Sequence, residues 1–137
     1  MEFTIGELAV RVGVAGHVLR HWEDMGLLSP ERRVAGRRVY GPADLSRVAE
    51  IQICKDAGFG LEELRDLFAA GPARRRELLR AQLERVRDRI ARLTLSATLL
   101  EHGLRCRHDD HQACPHFQSM ILSRLDGVPL AKALDHP

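Results

Sequence analysis

The side chains best suited to bind a metal ion lie together in one short polar stretch near the C-terminus. Cys106 and Cys114 are separated by seven residues, and His108, His111 and His116 lie within or beside that interval. Two thiolates that converge across a short loop bind a soft monovalent ion in near-linear coordination, whereas added imidazoles favour zinc or another divalent ion. These residue types predict a metal site and leave its occupant open between copper(I) and zinc.

Two other interpretations of this stretch remain open. The two cysteines would form a thiol redox switch if Cys106 closed onto Cys114, or the stretch would be a structural loop without a ligand. The chain has three cysteines, an odd and sparse number that argues against a disulfide framework in a reducing compartment. The third, Cys54, lies on a predicted helix beside Ile51 and Ile53, and we expect it to be buried and inert.

A second group of chemically informative side chains is basic and lies near the N-terminus. All but two of the 21 lysine and arginine residues are arginine, which suits bidentate contacts with phosphate but also follows from GC-rich coding. Several surround Gly36 on a predicted β-hairpin, and a tyrosine follows them. The candidate phosphate contacts of this wing are Arg32, Arg33, Arg37, Arg38 and Tyr40. The alternative is a solvated run of charge.

The residues before this hairpin predict a helix-turn-helix. Thr4 and Glu7 have capping-box spacing at the start of a helix over 4–12, and Gly13 precedes a second helix over 15–25. The second helix should present Gly16, His17 and Arg20 outward, with Arg20 contacting a guanine edge or a phosphate. An ion pair of Arg20 with an acid one turn away, Glu23 or Asp24, is the alternative.

Further helices are predicted from Pro42 to about Ala57 and over 61–69, followed by a long helix with one apolar seam. The seam spacing alternates between three and four residues, as in a coiled coil. Its members are Leu79, Leu83, Val86, Ile90, Leu93, Ala97, Leu100 and Leu104. Antiparallel pairing with a second copy of the chain buries the seam most economically, and packing within one monomer is the alternative.

The chain divides into a predicted winged helix-turn-helix domain over 1–70, a dimerisation helix over 71–104 and an effector loop with a tail over 105–137. A short apolar stretch after Cys114 is expected to add one or two helical turns, and the last dozen residues are expected to be frayed. No apolar run is long enough to span a bilayer and no secretory signal is recognisable, so we expect a soluble, cytoplasmic protein without a membrane partner.

Three runs of residues resemble the MerR family of bacterial transcriptional regulators, and the resemblance covers roughly residues 2–114. They are residues 18–28, Val-Leu-Arg-His-Trp-Glu-Asp-Met-Gly-Leu-Leu; residues 36–45, Gly-Arg-Arg-Val-Tyr-Gly-Pro-Ala-Asp-Leu; and residues 58–64, Gly-Phe-Gly-Leu-Glu-Glu-Leu. Three positions depart from the family pattern. His21 replaces an aromatic residue, Arg37 replaces a frequent tyrosine, and Ala15 replaces the usual Ser or Thr cap of the recognition helix.

The resemblance implies a mainly α-helical fold, with a winged helix-turn-helix followed by a long antiparallel coiled-coil helix. It also implies a homodimer that binds a pseudo-palindromic promoter, changes the distortion of that DNA in response to an effector and acts on RNA polymerase. The Cys106–Cys114 spacing resembles the loop of the family's copper-efflux sensors. The divalent-metal sensors have a further cysteine near the start of the dimerisation helix, which residues 70–80 lack.

The function expected from the sequence is therefore a DNA-binding regulator whose effector is a metal ion. A regulator that responds to thiol oxidation or to a small molecule is the first alternative. A metal-buffering protein without DNA activity is the second, and it would leave the wing arginines without a role. An enzyme is not expected, because the sequence contains no Gly-rich nucleotide fingerprint and only one short core.

Overall fold

The computed structural model describes residues 1–30 and 32–134 and divides the chain into two compact units, Met1–Leu83 and Glu84–Pro137. The first unit begins with the predicted helix-turn-helix. Helix α1 (Ile5–Val12) starts with a capping box in which the amide of Glu7 donates to Thr4 Oγ1 at 3.2 Å and the amide of Thr4 donates to Glu7 Oε2 at 2.8 Å. Helix α2 (Gly16–Asp24) follows after a left-handed turn at Gly13.

The predicted wing is a two-stranded antiparallel hairpin, β1 (Arg32–Val34) and β2 (Arg37–Val39). Ala35 and Gly36 connect the strands, and both have positive φ (50° and 76°), as in the tight turns that match the strand twist. The chain after β2 pairs back onto the N-terminus, because the amide of Phe3 donates to the Tyr40 carbonyl at 2.8 Å.

Two helices complete the core of this unit. Helix α3 (Pro42–Asp56) begins where Asp44 accepts from the amide of Gly41 at 2.8 Å, and helix α4 (Leu61–Ala69) begins with a similar contact from Glu63. The buried apolar side chains are Phe3, Leu8, Leu19, Trp22, Leu27, Leu28, Tyr40, Val48, Ile51, Phe59, Leu64 and Leu67. They form one contiguous cluster, so the unit has its own hydrophobic core.

Helix α5 (Pro72–Arg105) is 34 residues long and contains the predicted seam. Within the first unit it is anchored by the buried Gln82, whose Nε2 donates to the Ala57 carbonyl at the end of α3 at 2.9 Å. Gly58 beside this contact has a φ of 92°, and a Cβ there would lie 2.6 Å from Gln82 Nε2. Glycine at position 58 therefore serves both the turn and the close approach of the two helices.

The second unit contains the rest of α5, a 3₁₀ turn (His111–Ala113), and helices α6 (Pro115–Leu125) and α7 (Leu130–Leu134). The helix predicted after Cys114 had one or two turns, but α6 is longer, with 11 residues. The prediction of a frayed tail was wrong for Leu130–Leu134, which are helical and pack on α6. Gly127 (φ 78°) turns the chain back and lets the amide of Val128 donate to the Ser123 carbonyl at 2.8 Å. The predicted tail at 135–137 lies outside the described residues.

The mainly α-helical fold with a small wing is confirmed. Among the helices of the described residues, none has the length and apolar composition required to cross a bilayer.

Candidate nucleic-acid interface and metal centre

Helix α2 has one face buried in the core and one face available to a ligand. Leu19 and Trp22 are buried, whereas His17 and Arg20 are exposed and Gly16 is half-buried. The residue before the helix is Ala15, and no side chain caps the first amides. The N-terminus of a helix without a side-chain cap leaves amide donors and the positive end of the helix dipole free for an anion such as a DNA phosphate.

The alternative interpretation paired Arg20 with an acidic residue such as Glu23. In the structure, Glu23 instead connects α2 to the wing. Its Oε2 lies 2.6 Å from Nε of Arg38 on β2, and its Oε1 accepts a hydrogen bond from the Tyr40 hydroxyl. The Glu23 side chain is only 8% exposed, so this ion pair is shielded from water. The contact holds the return strand of the wing against the recognition helix.

The prediction that Tyr40 contacts DNA is wrong. Its side chain is fully buried, and its hydroxyl is used by Glu23. Burial and the carboxylate of Glu23 both raise the pKa of this hydroxyl, because ionisation would place two negative charges together in the core. Tyr40 is therefore a core residue that positions the wing.

The other wing arginines differ in their surroundings. Arg33 and Arg37 are exposed, and they lie on opposite strands of the hairpin. Arg32 is also exposed, and its Nη2 lies 2.5 Å from Glu2 Oε1. Arg38 is the least accessible of the four, with 30% of its side chain exposed. Arg33 and Arg37 thus remain the wing side chains best placed to reach a phosphate.

Three of the five predicted metal ligands converge in the second unit. The ligand atoms of Cys106, His108 and Cys114 all lie within 4.8 Å of one another. Cys106 is the residue directly after α5, His108 is exposed in the following loop, and Cys114 is buried at the start of α6. Two sulfur ligands and one imidazole nitrogen suit a soft or borderline transition-metal ion.

The position of Cys114 at the start of α6 affects the pKa of its thiol. It is the N-cap of α6, and the first residue of that helix is Pro115, which has no amide hydrogen. The backbone amide of Phe117 lowers the pKa of the Cys114 thiol most, followed by the Cys106 side chain, while burial acts in the opposite direction. The lowered pKa makes the thiolate, the form that binds metals, easier to reach at Cys114 than in an isolated cysteine.

His111 and His116 are not part of this group, so the prediction that they bind the same metal ion is corrected. The ring of His111 makes an edge contact with Phe117, with 5.3 Å between centroids. The ring of His116 lies against His102 of α5, with 4.6 Å between centroids. The 3₁₀ turn and the start of α6 direct these two side chains away from the cysteines. His102 lies outside the seam and was not among the site residues predicted from the sequence.

Cys54 behaves differently from the cysteines of the second unit. It is half-buried on α3, and burial raises the pKa of its thiol. The expectation that Cys54 is buried is therefore corrected, whereas the raised pKa agrees with the expectation that its thiol is inert.

The fold and its sites together define a class: a winged helix-turn-helix regulatory protein with a long helix and a thiol-bearing C-terminal unit. The family model described as "MerR HTH family regulatory protein" matches residues 3–71, and that described as "MerR, DNA binding" matches residues 45–103. The chain belongs to the MerR family, whose members are transcriptional regulators and not enzymes.

Among characterised relatives, the chain is 37% identical over 108 residues to the HTH-type transcriptional activator TipA of Streptomyces coelicolor, a match that covers 78% of this chain and 43% of TipA. The chain therefore spans less than half the length of that relative. It is 32% identical over 126 residues to heavy metal-dependent transcription regulator 1 of Rhizobium meliloti, covering 84% of this chain and 83% of the relative.

Among solved structures, the chain is similar to the transcription regulator PbrR691 from Ralstonia metallidurans in complex with lead(II). The TM-score is 0.63 at 25% sequence identity, and the match covers 86% of this chain and 98% of PbrR691.

Proposed function

We propose that the chain is a promoter-binding transcriptional regulator that acts as a homodimer and responds to a metal ion. The observation that carries the DNA-binding part is the accessible face of α2. His17 and Arg20 are exposed there, and the helix N-terminus at Gly16 has no side-chain cap. These groups would contact base edges and phosphates, while Arg33 and Arg37 of the wing would contact the flanking backbone.

The homodimer is supported by the apolar seam of α5, which the single chain leaves uncovered. Ile90 is 57% exposed, Leu93 is 69% exposed and Leu100 is 67% exposed. An isologous antiparallel contact would bury this stripe on both copies and would hold two recognition helices at a fixed separation. A dimer with twofold symmetry binds a pseudo-palindromic DNA site. Because the proposed target is a bacterial promoter, the proposed location of the protein is the cytoplasm.

The effector proposed for this regulator is a metal ion held by Cys106, Cys114 and His108. The convergence of their ligand atoms and the thiolate-favouring position of Cys114 support this assignment. Two relatives agree with a metal response, since one is named as heavy metal-dependent and another was solved with lead(II). Two sulfurs alone suit copper(I), and recruitment of His108 shifts the preference toward zinc.

The metal would act by favouring one of two arrangements of the DNA-bound dimer. In the proposed mechanism, drawing Cys106 toward Cys114 changes the loop that follows α5, and the promoter is distorted differently in the two arrangements. The change in distortion makes the promoter accessible to RNA polymerase. The DNA deformation energies of the two arrangements would differ by a few kcal/mol. This is on the order of the coupling free energy that one bound ligand provides.

The test combines DNA binding and promoter distortion on the purified protein. Binding to a duplex carrying the chain's own upstream region is measured by fluorescence anisotropy, and distortion is measured by footprinting with no metal, copper(I) or zinc. We expect binding in all three conditions and a changed footprint with one metal only. Cys106→Ser should abolish the change, whereas Cys54→Ser should leave it intact. Tight metal binding without DNA binding would instead establish a metal buffer.

A second candidate effector is an oxidant. Cys106 and Cys114 are close enough to approach each other, and the lowered pKa of Cys114 favours nucleophilic attack. Reaction with hydrogen peroxide would join the two sulfurs in one S–S bond, and the two hydrogens and two electrons lost by the thiols would convert the peroxide into two molecules of water. Mass spectrometry after peroxide treatment distinguishes this candidate, because a loss of two hydrogens with a changed footprint in metal-free protein supports it. An unchanged footprint rejects it.

A further inference from the structure

A pair of histidines lines a small cavity that the proposed effector site does not use. The cavity has a volume of about 120 Å³ and lies entirely in the second unit. Residues of α5, α6 and α7 form its wall: Thr98, His102, Arg105, His116, Ser119, Met120, Ala133 and Leu134. This volume is too small for an ordinary organic ligand, which occupies roughly 300 Å³ or more, but it accommodates a single ion.

The histidine of α5 in this cavity is incompletely satisfied. Nε2 of His102 is buried and has no hydrogen-bond partner among residues 1–30 and 32–134. The His116 ring lies against the His102 ring, with 4.6 Å between centroids and 31° between planes. A buried polar atom without a partner is costly, and coordination to a metal ion would offset this cost.

The third feature of the cavity is a thioether. Met120 is 8% exposed and lines the same wall as the two imidazoles. Thioether and imidazole are neutral ligands, and thioether selects soft ions such as copper(I) over zinc. Arg105 lines the cavity and none of the described lining residues is acidic, so the wall disfavours cations in proportion to their charge. A monovalent cation is repelled less by such a wall than a divalent cation.

We propose that His102, His116 and Met120 form a second metal site, specific for copper(I) and separate from the cysteine group. The site shares no ligand with Cys106, His108 and Cys114, so the assignment does not depend on the proposed effector site. It gives the second unit capacity for two ions, one of them held between α5 and α6.

The experiment measures copper(I) stoichiometry by native mass spectrometry on the full chain, in the presence of a reductant and a copper(I) chelator as competitor. The informative variant is Cys106→Ser with Cys114→Ser, which removes the two sulfurs of the other site. We expect this variant to retain one copper(I) per chain. Adding His102→Ala should remove that ion, while adding His111→Ala, the matched control, should not.

A milder variant protects the test against misfolding. Met120→Leu conserves volume and should weaken copper(I) binding in the cysteine-free background without changing the circular dichroism spectrum. The proposal is overturned if the cysteine-free protein retains no copper(I), if it retains zinc or phosphate instead, or if His111→Ala removes the ion as completely as His102→Ala. Failure of the cysteine site is recognised separately, because wild type would then bind no more copper(I) than the cysteine-free variant.

Discussion

The two units of this chain bury their apolar side chains in opposite ways. Residues 1–83 enclose twelve large side chains in a core of their own. Along α5 from Glu84 to Arg105, all of it described by the structure, every residue is exposed or half-buried. The first unit thus has a core formed by its own chain, whereas the seam of α5 is an exposed apolar stripe that the proposed dimer would cover. If the proposed dimer forms, similar apolar periodicity serves an internal core in one unit and an interface in the other.

A charge on the seam of α5 is the strongest test of whether this stripe is the dimer interface. Ile90→Lys should dissociate the dimer, because pairing would bury an uncompensated ammonium group, at a cost of at least about 3 kcal/mol or roughly 100-fold in the dissociation constant. Analytical ultracentrifugation and operator binding are the measurements. Both should fail together, while the near-UV signal of Trp22 in the first unit stays native.

Asp88→Lys is the control for this variant. It introduces the same side chain on the opposite face of the same helix, where a coiled coil is solvated. It should remain dimeric at the concentrations where Ile90→Lys is monomeric. Dissociation of both variants, or of neither, would show that the seam is not the interface.

Within the first unit, a buried ion pair should contribute more to stability than an exposed one. Glu23→Gln removes the charge that pairs with Arg38 and weakens the acceptor of Tyr40, so we expect a loss of about 2 kcal/mol in the free energy of unfolding. Urea denaturation of the full chain measures it.

The matched control is Glu50→Gln, which breaks a pair with Arg47 at 2.9 Å whose side chains are 42% and 52% exposed. Its cost should stay below about 1 kcal/mol. Equal losses for the two variants would mean that burial does not strengthen the Glu23 contact.

Local sequence signals predicted the parts of the fold that local interactions determine. Three such features could be predicted from the sequence: the capping box at Thr4 and Glu7, the helix start at Pro42 and the hairpin that ends at Val39. Each depends on neighbours within a few residues. The exposed face of α2 followed from helical periodicity alone.

Contacts between distant residues were not predictable in this way. Tyr40 follows the wing arginines and so was assigned to DNA, but its hydroxyl reaches Glu23, 17 residues earlier in the chain. His111 and His116 have the spacing of ligands, yet a 3₁₀ turn and the first turn of α6 direct their rings elsewhere. The sequence predicted which residue types gather near the cysteines, whereas backbone direction decides which of them converge.

A smaller effect concerns the exposed arginines of the wing. Arg37→Ala should weaken operator binding by roughly 1 kcal/mol and reduce the slope of log K against log salt by about 0.9, the value for one lost phosphate contact. Anisotropy titrations over a salt series provide the slope. Lys132→Ala removes an equal charge from the second unit and should leave the slope unchanged. An unaltered slope for Arg37→Ala would remove this residue from the interface.

The smallest expected effect separates the cysteines of the two units. In chelator-treated protein, the pH midpoint of alkylation should be lower for Cys114 than for Cys54, because the amide of Phe117 and the Cys106 side chain stabilise the Cys114 thiolate while burial raises the pKa of Cys54. Peptide mapping by mass spectrometry resolves the two sites. The midpoint, unlike the rate, does not depend on how accessible each sulfur is. Cys106→Ala should raise the Cys114 midpoint, because it removes the hydrogen bond from the Cys106 thiol, and should leave the midpoint of Cys54 unchanged. Coincident midpoints for Cys54 and Cys114 in the wild-type protein would show that the start of α6 does not activate its cysteine.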